Sequence, residues 1–456
     1  MKFSDFALQS EIELEELLIS NKLKLDKFLP KLSTNIKFLN NNLKINYKKN
    51  KLSINGKGGV QIQENIDELN YSIIKKSDIL KFKSTLKVQE NPFQINFLDY
   101  KKIEKNDAIL SIEGNRKSNL TSLKLLSYKE GKNFFKINDL ILNEKLSVKD
   151  FKKIEISFID EKDFLNKYNI LKKNNIYQLT GPSFNADNLI ENIISDKKKK
   201  DIIDKNFKLK IQIDNVILDD NHNLKDLSGI LSFKNQEITD GNLVGFFSNN
   251  EKLQFTMKSL EGEKITTLFL DQAGAIVSRY KFIKGFEEGL LDFYSSNKGQ
   301  ESVSTLKIYD FKLKELPALT KLLTLASLQG IADLLSGEGI RFNEFEMNFS
   351  NKGSLMKIDE IYAIGPAISL LMSGYVEKEK LISLRGTLVP ATTLNKAIGS
   401  IPFLGNILVG KKTGEGVFGV SFKIKGPPEN LETTVNPIKT LTPRFITRTL
   451  EKIKKN

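Results

Sequence analysis

The chain has a single histidine, His222, and no cysteine. Disulfides, zinc–thiolate sites, iron–sulfur clusters and thiol nucleophiles are excluded, and so is any multi-histidine metal site. One possible centre for Ser–His–Asp chemistry remains. His222 stands in the run Asp219, Asp220, Asn221, His222, Asn223, which begins like a calcium loop. An EF-hand needs glycine at its sixth position and glutamate at its twelfth. Here those positions hold Leu224 and Ile230. The run reads as a polar turn between strands at 207–218 and 227–233, and no nucleophile or metal partner can be assigned to His222.

Two glycine-rich stretches resemble phosphate-binding loops. GEGVFG (Gly414 to Gly419) matches G-x-G-x-x-G, but Val417 to Ile424 alternates as a strand and no helix follows to meet a pyrophosphate. It reads as a glycine-rich hairpin. INGKGGV (Ile54 to Val60) has a lysine among glycines but neither the following Ser or Thr nor the helix of a P-loop. The Asp and Glu residues show no spacing that separates a catalytic pair from a wet strand face. The expectation is a protein that is not an enzyme and carries no cofactor or metal.

The elements that would position any site are mostly strands. FKLKIQI places Phe207, Leu209, Ile211 and Ile213 on one side and Lys208, Lys210 and Gln212 on the other. The same alternation runs through Leu43, Ile45 and Tyr47; Leu80, Phe82, Leu86 and Val88; Ile154, Ile156 and Phe158; and Phe418, Val420, Phe422 and Ile424. Helical patterning is short: 184–195, 272–280, and a stretch at 316–337 whose Lys321, Gln329, Gly330 and Asp333 argue for two amphipathic helices rather than a membrane span. No fixed short repeat is visible.

The 456 residues carry a net charge of +14. Lys, Asn and Ile are enriched together, as an AT-rich genome would give, and the positive charge is dispersed with no recognised nucleic-acid module. The run DKKKKD at 196–201 reads as a solvated loop. The N-terminus MKFSDFALQSEIELEELLIS lacks the apolar core of a signal peptide or anchor. Ten of the 28 glycines fall between Gly365 and Gly426. That shift predicts a boundary near residue 300, between a strand-rich groove segment (1–300) and a C-terminal domain with an end cap and basic tail (301–456).

The last third resembles the AsmA-like C-terminal region of bacterial envelope proteins, the AsmA/YhdP/TamB group. The resemblance lies in 326–349 (ASLQGIADLLSGEGIRFNEFEMNF), 363–376 (AIGPAISLLMSGYV), 384–410 (LRGTLVPATTLNKAIGSIPFLGNILVG) and 422–443 (FKIKGPPENLETTVNPIKTLTP), with a weaker match at 269–293. It implies a mainly β fold: an elongated, curled antiparallel sheet forming an apolar groove, with a few short helices near the C-terminal end. It also implies a function, carriage of phospholipid between the inner and outer membranes of a Gram-negative envelope, supporting outer-membrane integrity and biogenesis. The expected place is the periplasm, with inner-membrane anchorage through a segment missing from this chain. The expected partners are phospholipid and a membrane surface rather than nucleic acid.

Within that expectation the lipid-groove candidates are Ile368, Leu370, Met372, Ile382, Leu384, Phe418, Val420, Phe422 and Ile424. Alternating strands serve a groove and the closed core of a β-sandwich equally well. The uncharged stretch IGSIPFLGNILVG (Ile398 to Gly410) is too short and too broken by Gly399, Pro402, Gly405 and Gly410 to span a bilayer. It reads as an end cap between strands 381–389 and 416–426, with membrane contact as the alternative. From Pro437 to Asn456 six basic residues, Lys439, Arg444, Arg448, Lys452, Lys454 and Lys455, face one acid, Glu451. They are candidates for an anionic membrane surface, against a helix docked on the sheet edge. Two other functions share the strand pattern. An outer-membrane barrel is opposed by the absence of Trp and by the basic ending, whereas a periplasmic scaffold for outer-membrane protein assembly fits the same architecture.

Overall fold

In a computed structural model of the chain, the residues described are 6–21, 28–103, 106–144, 146–194, 206–234, 237–279, 284–315, 317–325, 337–378, 380–390, 419–428 and 430–438. The protein is mainly β, as its alternation requires. Among the described residues, twenty-five strands belong to one mixed sheet that is not closed, and three short α-helices accompany them. Contacts divide the chain into two compact units, Met1–Thr239 and Asp240–Asn456.

The first unit opens with β1 (Ala7–Ser20), β2 (Asn35–Lys48), β3 (Lys51–Gln61), β4 (Ile66–Lys76) and β5 (Ile79–Val88). After the short β6 (Gln94–Ile95) and β7 (Tyr100–Lys101) come β8 (Ala108–Lys117), β9 (Leu120–Glu130), β10 (Asn133–Leu142), β11 (Val148–Asp150), β12 (Lys153–Ile159), β13 (Leu165–Lys173) and β14 (Ile176–Asn185). Helix α1 (Asp187–Ile194), β15 (Phe207–Ile217) and β16 (Asn223–Lys234) complete it. The sheet is a meander in which strands pair antiparallel with their neighbours along the chain.

One junction departs from the antiparallel expectation. β14 and β15 run parallel, with Ile176 opposite Lys208 and Asn185 opposite Ile217. A parallel pair needs a crossover to bring the chain back to its starting end. Here α1 and the residues after it occupy that connection.

Burial in β15 alternates as its sequence does: Ile211 and Ile213 are buried, Phe207 and Leu209 partly so, and Lys208, Lys210 and Gln212 exposed. Across the unit one face collects the apolar partners. Phe38 lies opposite Val60, Leu86 opposite Leu110, Leu110 opposite Tyr128, Tyr128 opposite Phe135, and Phe135 opposite Ile156. The segment between β5 and β8 packs on this face. The buried ring of Tyr100 meets Phe135, Phe158 and Tyr128 at centroid distances of 4.8, 5.5 and 5.9 Å.

Polar side chains pin this segment. Gln63 donates through Nε2 to the carbonyls of Pro30 (2.7 Å) and Pro92 (3.0 Å). Asn91 donates to Asp67 at 2.7 Å, and the Tyr100 hydroxyl donates to Glu130, whose other oxygen accepts from the Ile103 amide at 2.9 Å. Burial pushes the Asp67 carboxyl above its usual range, more than its hydrogen bonds from Asn91 and Gln89 pull it down. Most buried polar groups in proteins are paired in this way.

The second unit begins within β17 (Glu237–Phe246) and holds β18 (Lys252–Leu260), β19 (Glu263–Leu270), α2 (Gly274–Val277), β20 (Lys284–Lys298), β21 (Glu301–Glu315) and α3 (Pro317–Leu325). They are followed by β22 (Ile340–Lys352), β23 (Leu355–Ile364), β24 (Ile368–Glu377), β25 (Leu381–Pro390), β26 (Gly419–Gly426) and β27 (Glu432–Ile438). From β17 to β27 each strand pairs antiparallel with the next. The longer connections, 271–283, 316–339 and 391–418, leave from one end of these strands, and the short turns 261–262, 299–300 and 353–354 close the other.

Candidate apolar trough

The trough candidate is one face of the second unit. In β24 and β25, Leu370 is paired with Leu388, Met372 with Gly386 and Gly374 with Leu384, while Val376 meets Ile382. Across the next ladder Leu388 faces Val420, Gly386 faces Phe422 and Leu384 faces Ile424. Alternate residues share a face. Ile368, Leu370, Met372, Ile382, Leu384, Val420, Phe422 and Ile424 are therefore brought together on a single face, and Phe418 lies outside the described residues.

The face continues onto strands the sequence reading had not put forward. Leu291 and Phe293 of β20 lie opposite Ile308 and Leu306, which in turn face Phe345 and Met347. Ile361 of β23 joins Met347 to Met372. Period-two spacing is visible in Phe345, Met347 and Phe349. In β23 it is hidden by a shift of register between Ile358 and Ile361, which puts two inward residues three positions apart.

Burial along this face is graded. At the end of the long connections the side chains are covered: Ile368 and Leu388 are 0% exposed, and Leu291, Ile340, Phe342 and Val420 are buried. Toward the short turns burial is mixed: Phe349, Ile358, Ile361, Phe422 and Ile424 are still buried, while Phe293, Leu306, Met347, Met356, Met372, Val376 and Leu384 around them are only partly buried. Beyond them the lining turns polar, with Ser304 donating to Ser295 at 2.9 Å and Asn351 to Ser302 at 3.3 Å.

Helix α3 packs at the end of the long connections. Leu319, Leu322 and Leu323 of α3 are buried, and α3 leaves β21 yet contacts β27. Six flat strand spacings would separate those strands by about 29 Å, whereas a nine-residue helix extends about 13 Å. The sheet must curl to bring β27 within its reach. The stacked rings of Phe286, Phe311 and Phe342, with centroid spacings of 5.4 and 5.3 Å, fill the same end.

Two glycines shape the floor. A Cβ on Gly386 would come within 2.7 Å of both Met372 Cγ and Phe422 Cζ, so those side chains meet over it. At Gly374, φ is +155° and a Cβ would lie 2.1 Å from the Ser383 carbonyl oxygen, so the backbones of β24 and β25 approach closely beside Leu384.

His222 sits in the turn between β15 and β16, as its neighbours suggest. Its Nδ1 is 2.8 Å from Asp219 Oδ1, which also accepts from the amides of Asn221 (2.8 Å) and His222 (2.9 Å). Burial raises the Asp219 carboxyl, but the His222 ring and these amides outweigh it and hold the carboxyl below its usual range. The contacts are those of a polar turn rather than a nucleophile relay. Among the described residues no group of three or more His, Asp or Glu could hold a metal ion, and no helix is long and apolar enough to cross a membrane. The end-cap stretch 398–410, the run 196–201 and the basic candidates Lys439, Arg444, Arg448, Lys452, Lys454 and Lys455 lie outside the described residues.

No family model and no curated protein matches this sequence. The resemblance to AsmA-like proteins therefore rests on its quoted motifs.

Proposed function

We propose that the chain is a non-enzymatic lipid-binding protein, holding phospholipid acyl chains in the trough of the second unit. The observation that carries this reading is the graded face. Its apolar lining is continuous from β20 to β26, and around the buried Phe349, Ile358 and Ile361 several of its side chains, Met372 and Leu384 among them, stay partly open to solvent. An acyl chain laid there would remove its own methylenes and the lining from water, at about 0.8 kcal/mol per buried CH₂. The capped end would stop the chain, and the hydroxyl and amide rim would sit nearer the headgroup. With the AsmA-like motifs, this supports a role in moving phospholipid between the two membranes of a Gram-negative envelope, on its periplasmic side.

The test is direct. Purified protein should release phospholipid into an organic extract, read by mass spectrometry, and lipid-stripped protein should take up a fluorescent phospholipid. Met372→Glu with Leu384→Glu, both on partly open positions, should abolish uptake while circular dichroism stays unchanged. Lipid-free protein that also fails to take up the probe, or a folded double variant that binds it normally, refutes the assignment.

A further inference from the structure

The edge strand β1 is the candidate least explained by a lipid trough. Its only ladder among the described residues is with β2, so for fourteen residues one side of its backbone has no strand partner. Long open edges are rare in soluble proteins because they template pairing with another chain. β27 of the second unit is only seven residues long and carries Pro437, which cannot donate a ladder hydrogen bond. β1 is neither short nor interrupted by proline.

Its side chains state what would fit. Leu8, Ile12 and Leu14 share the face on which β2 presents Tyr47, Leu43 and Asn41, and Leu8 and Ile12 remain 48% and 41% exposed. Glu11 and Glu13 point to the opposite face. The segment 6–20 holds four glutamates, Glu11, Glu13, Glu15 and Glu16, and no lysine or arginine, in a chain of net charge +14. Glu11 is paired with Lys44 of β2 at 3.0 Å. Glu13, Glu15 and Glu16 have no ion pair among the described residues.

We propose that β1 docks an extended polypeptide segment in which apolar residues alternate with lysine or arginine, added to the sheet as a further strand. The apolar residues would continue the face of Leu8 and Ile12, and the cations would meet Glu11, Glu13 and their neighbours. A second copy of this chain pairing β1 with β1 is disfavoured, since it would set four glutamates against four.

The test uses a synthetic peptide with the β5 sequence LKFKSTLKV, in which Leu80, Phe82, Leu86 and Val88 alternate with Lys81, Lys83 and Lys87. Fluorescence anisotropy should report saturable binding that weakens with salt, and hydrogen exchange of amides 7–20 should slow when the peptide is added. Glu13→Lys with Glu16→Lys should weaken binding about tenfold or more, and LEFESTLEV should not bind. The proposal is overturned by unchanged exchange at 7–20, by equal binding of LEFESTLEV or of a scrambled peptide, or by concentration-dependent protection of β1 in the protein alone, which would indicate self-pairing.

Discussion

Leu384 and Leu388 provide a matched pair for deciding between a trough and a closed core. They lie on the same face of β25, four residues apart, and differ only in what covers them. Leu388 is 0% exposed between Leu370 and Val420. Its truncation to alanine removes three buried carbons, about 2.4 kcal/mol of transfer energy, and adds about 1–2 kcal/mol for the cavity. Leu384 is partly buried, with Gly374 on one side and Ile424 on the other. Half the transfer term applies and solvent can enter the space, so Leu384→Ala should cost about 1 kcal/mol. The two single variants, lipid-stripped, would be compared with the parent by urea unfolding followed at a probe in the second unit. A gap of about 3 kcal/mol is expected. Equal losses near about 4 kcal/mol would mean that both leucines belong to a closed core, and the trough argument would fail.

Tyr100→Phe should destabilise the first unit by about 1–3 kcal/mol, because buried Glu130 loses a donor and keeps only the Ile103 amide, a change visible as a lowered unfolding midpoint. Asp219→Asn should cost about 1 kcal/mol at neutral pH. Because the folded carboxyl titrates below its usual range, that contribution is present above the unfolded value and lost as pH falls through the folded one, so variant and parent should converge in acid. His222→Ala should change stability by no more than about 1 kcal/mol, with lipid uptake intact; loss of uptake in a folded protein would reopen a chemical role for the ring. Removing residues 437–456 should abolish flotation with anionic liposomes at low salt, since six basic residues near such a surface contribute about 1 kcal/mol each. Tail-independent flotation would argue against that role.

The strands were legible because the side-chain period of a strand is fixed by geometry. FKLKIQI could be read onto two faces without any knowledge of its neighbours, and β15 carries that pattern. The eight described groove candidates fall on one face for the same reason. What hid the rest was any feature that breaks the period or acts at a distance. In β2 the register shifts between Leu39 and Asn42, beside Asn40 with φ of +49°, and the inward set moves from Phe38 to Leu43. In β23 the shift after Ile358 concealed much of the trough lining. The Tyr100, Tyr128 and Glu130 contacts join residues thirty positions apart, with no spacing to announce them. The parallel β14–β15 junction left no mark because direction is set by where the crossover returns, not by side-chain type.

That junction bears on the order in which the chain assembles. Apart from β1–β2 and β5–β8, where 14 and 19 residues intervene, the other ladders of the first unit join strands close in sequence, and β2–β3, β4–β5 and β8–β9 are separated by two residues each. Such hairpins close within microseconds, without waiting for the rest of the chain. Between β14 and β15 stand 21 residues, and closing a loop of that length rather than two costs about 2 kcal/mol more in chain entropy. The hairpins on either side of these long connections should therefore form early, and β14 should join the hairpin of β15 with β16 late, a sequence that pulse-labelled hydrogen exchange would resolve. Until they join, β14 and β15 each present an unpaired edge, and this is where an unfinished chain is most open to capture by a strand of its neighbour.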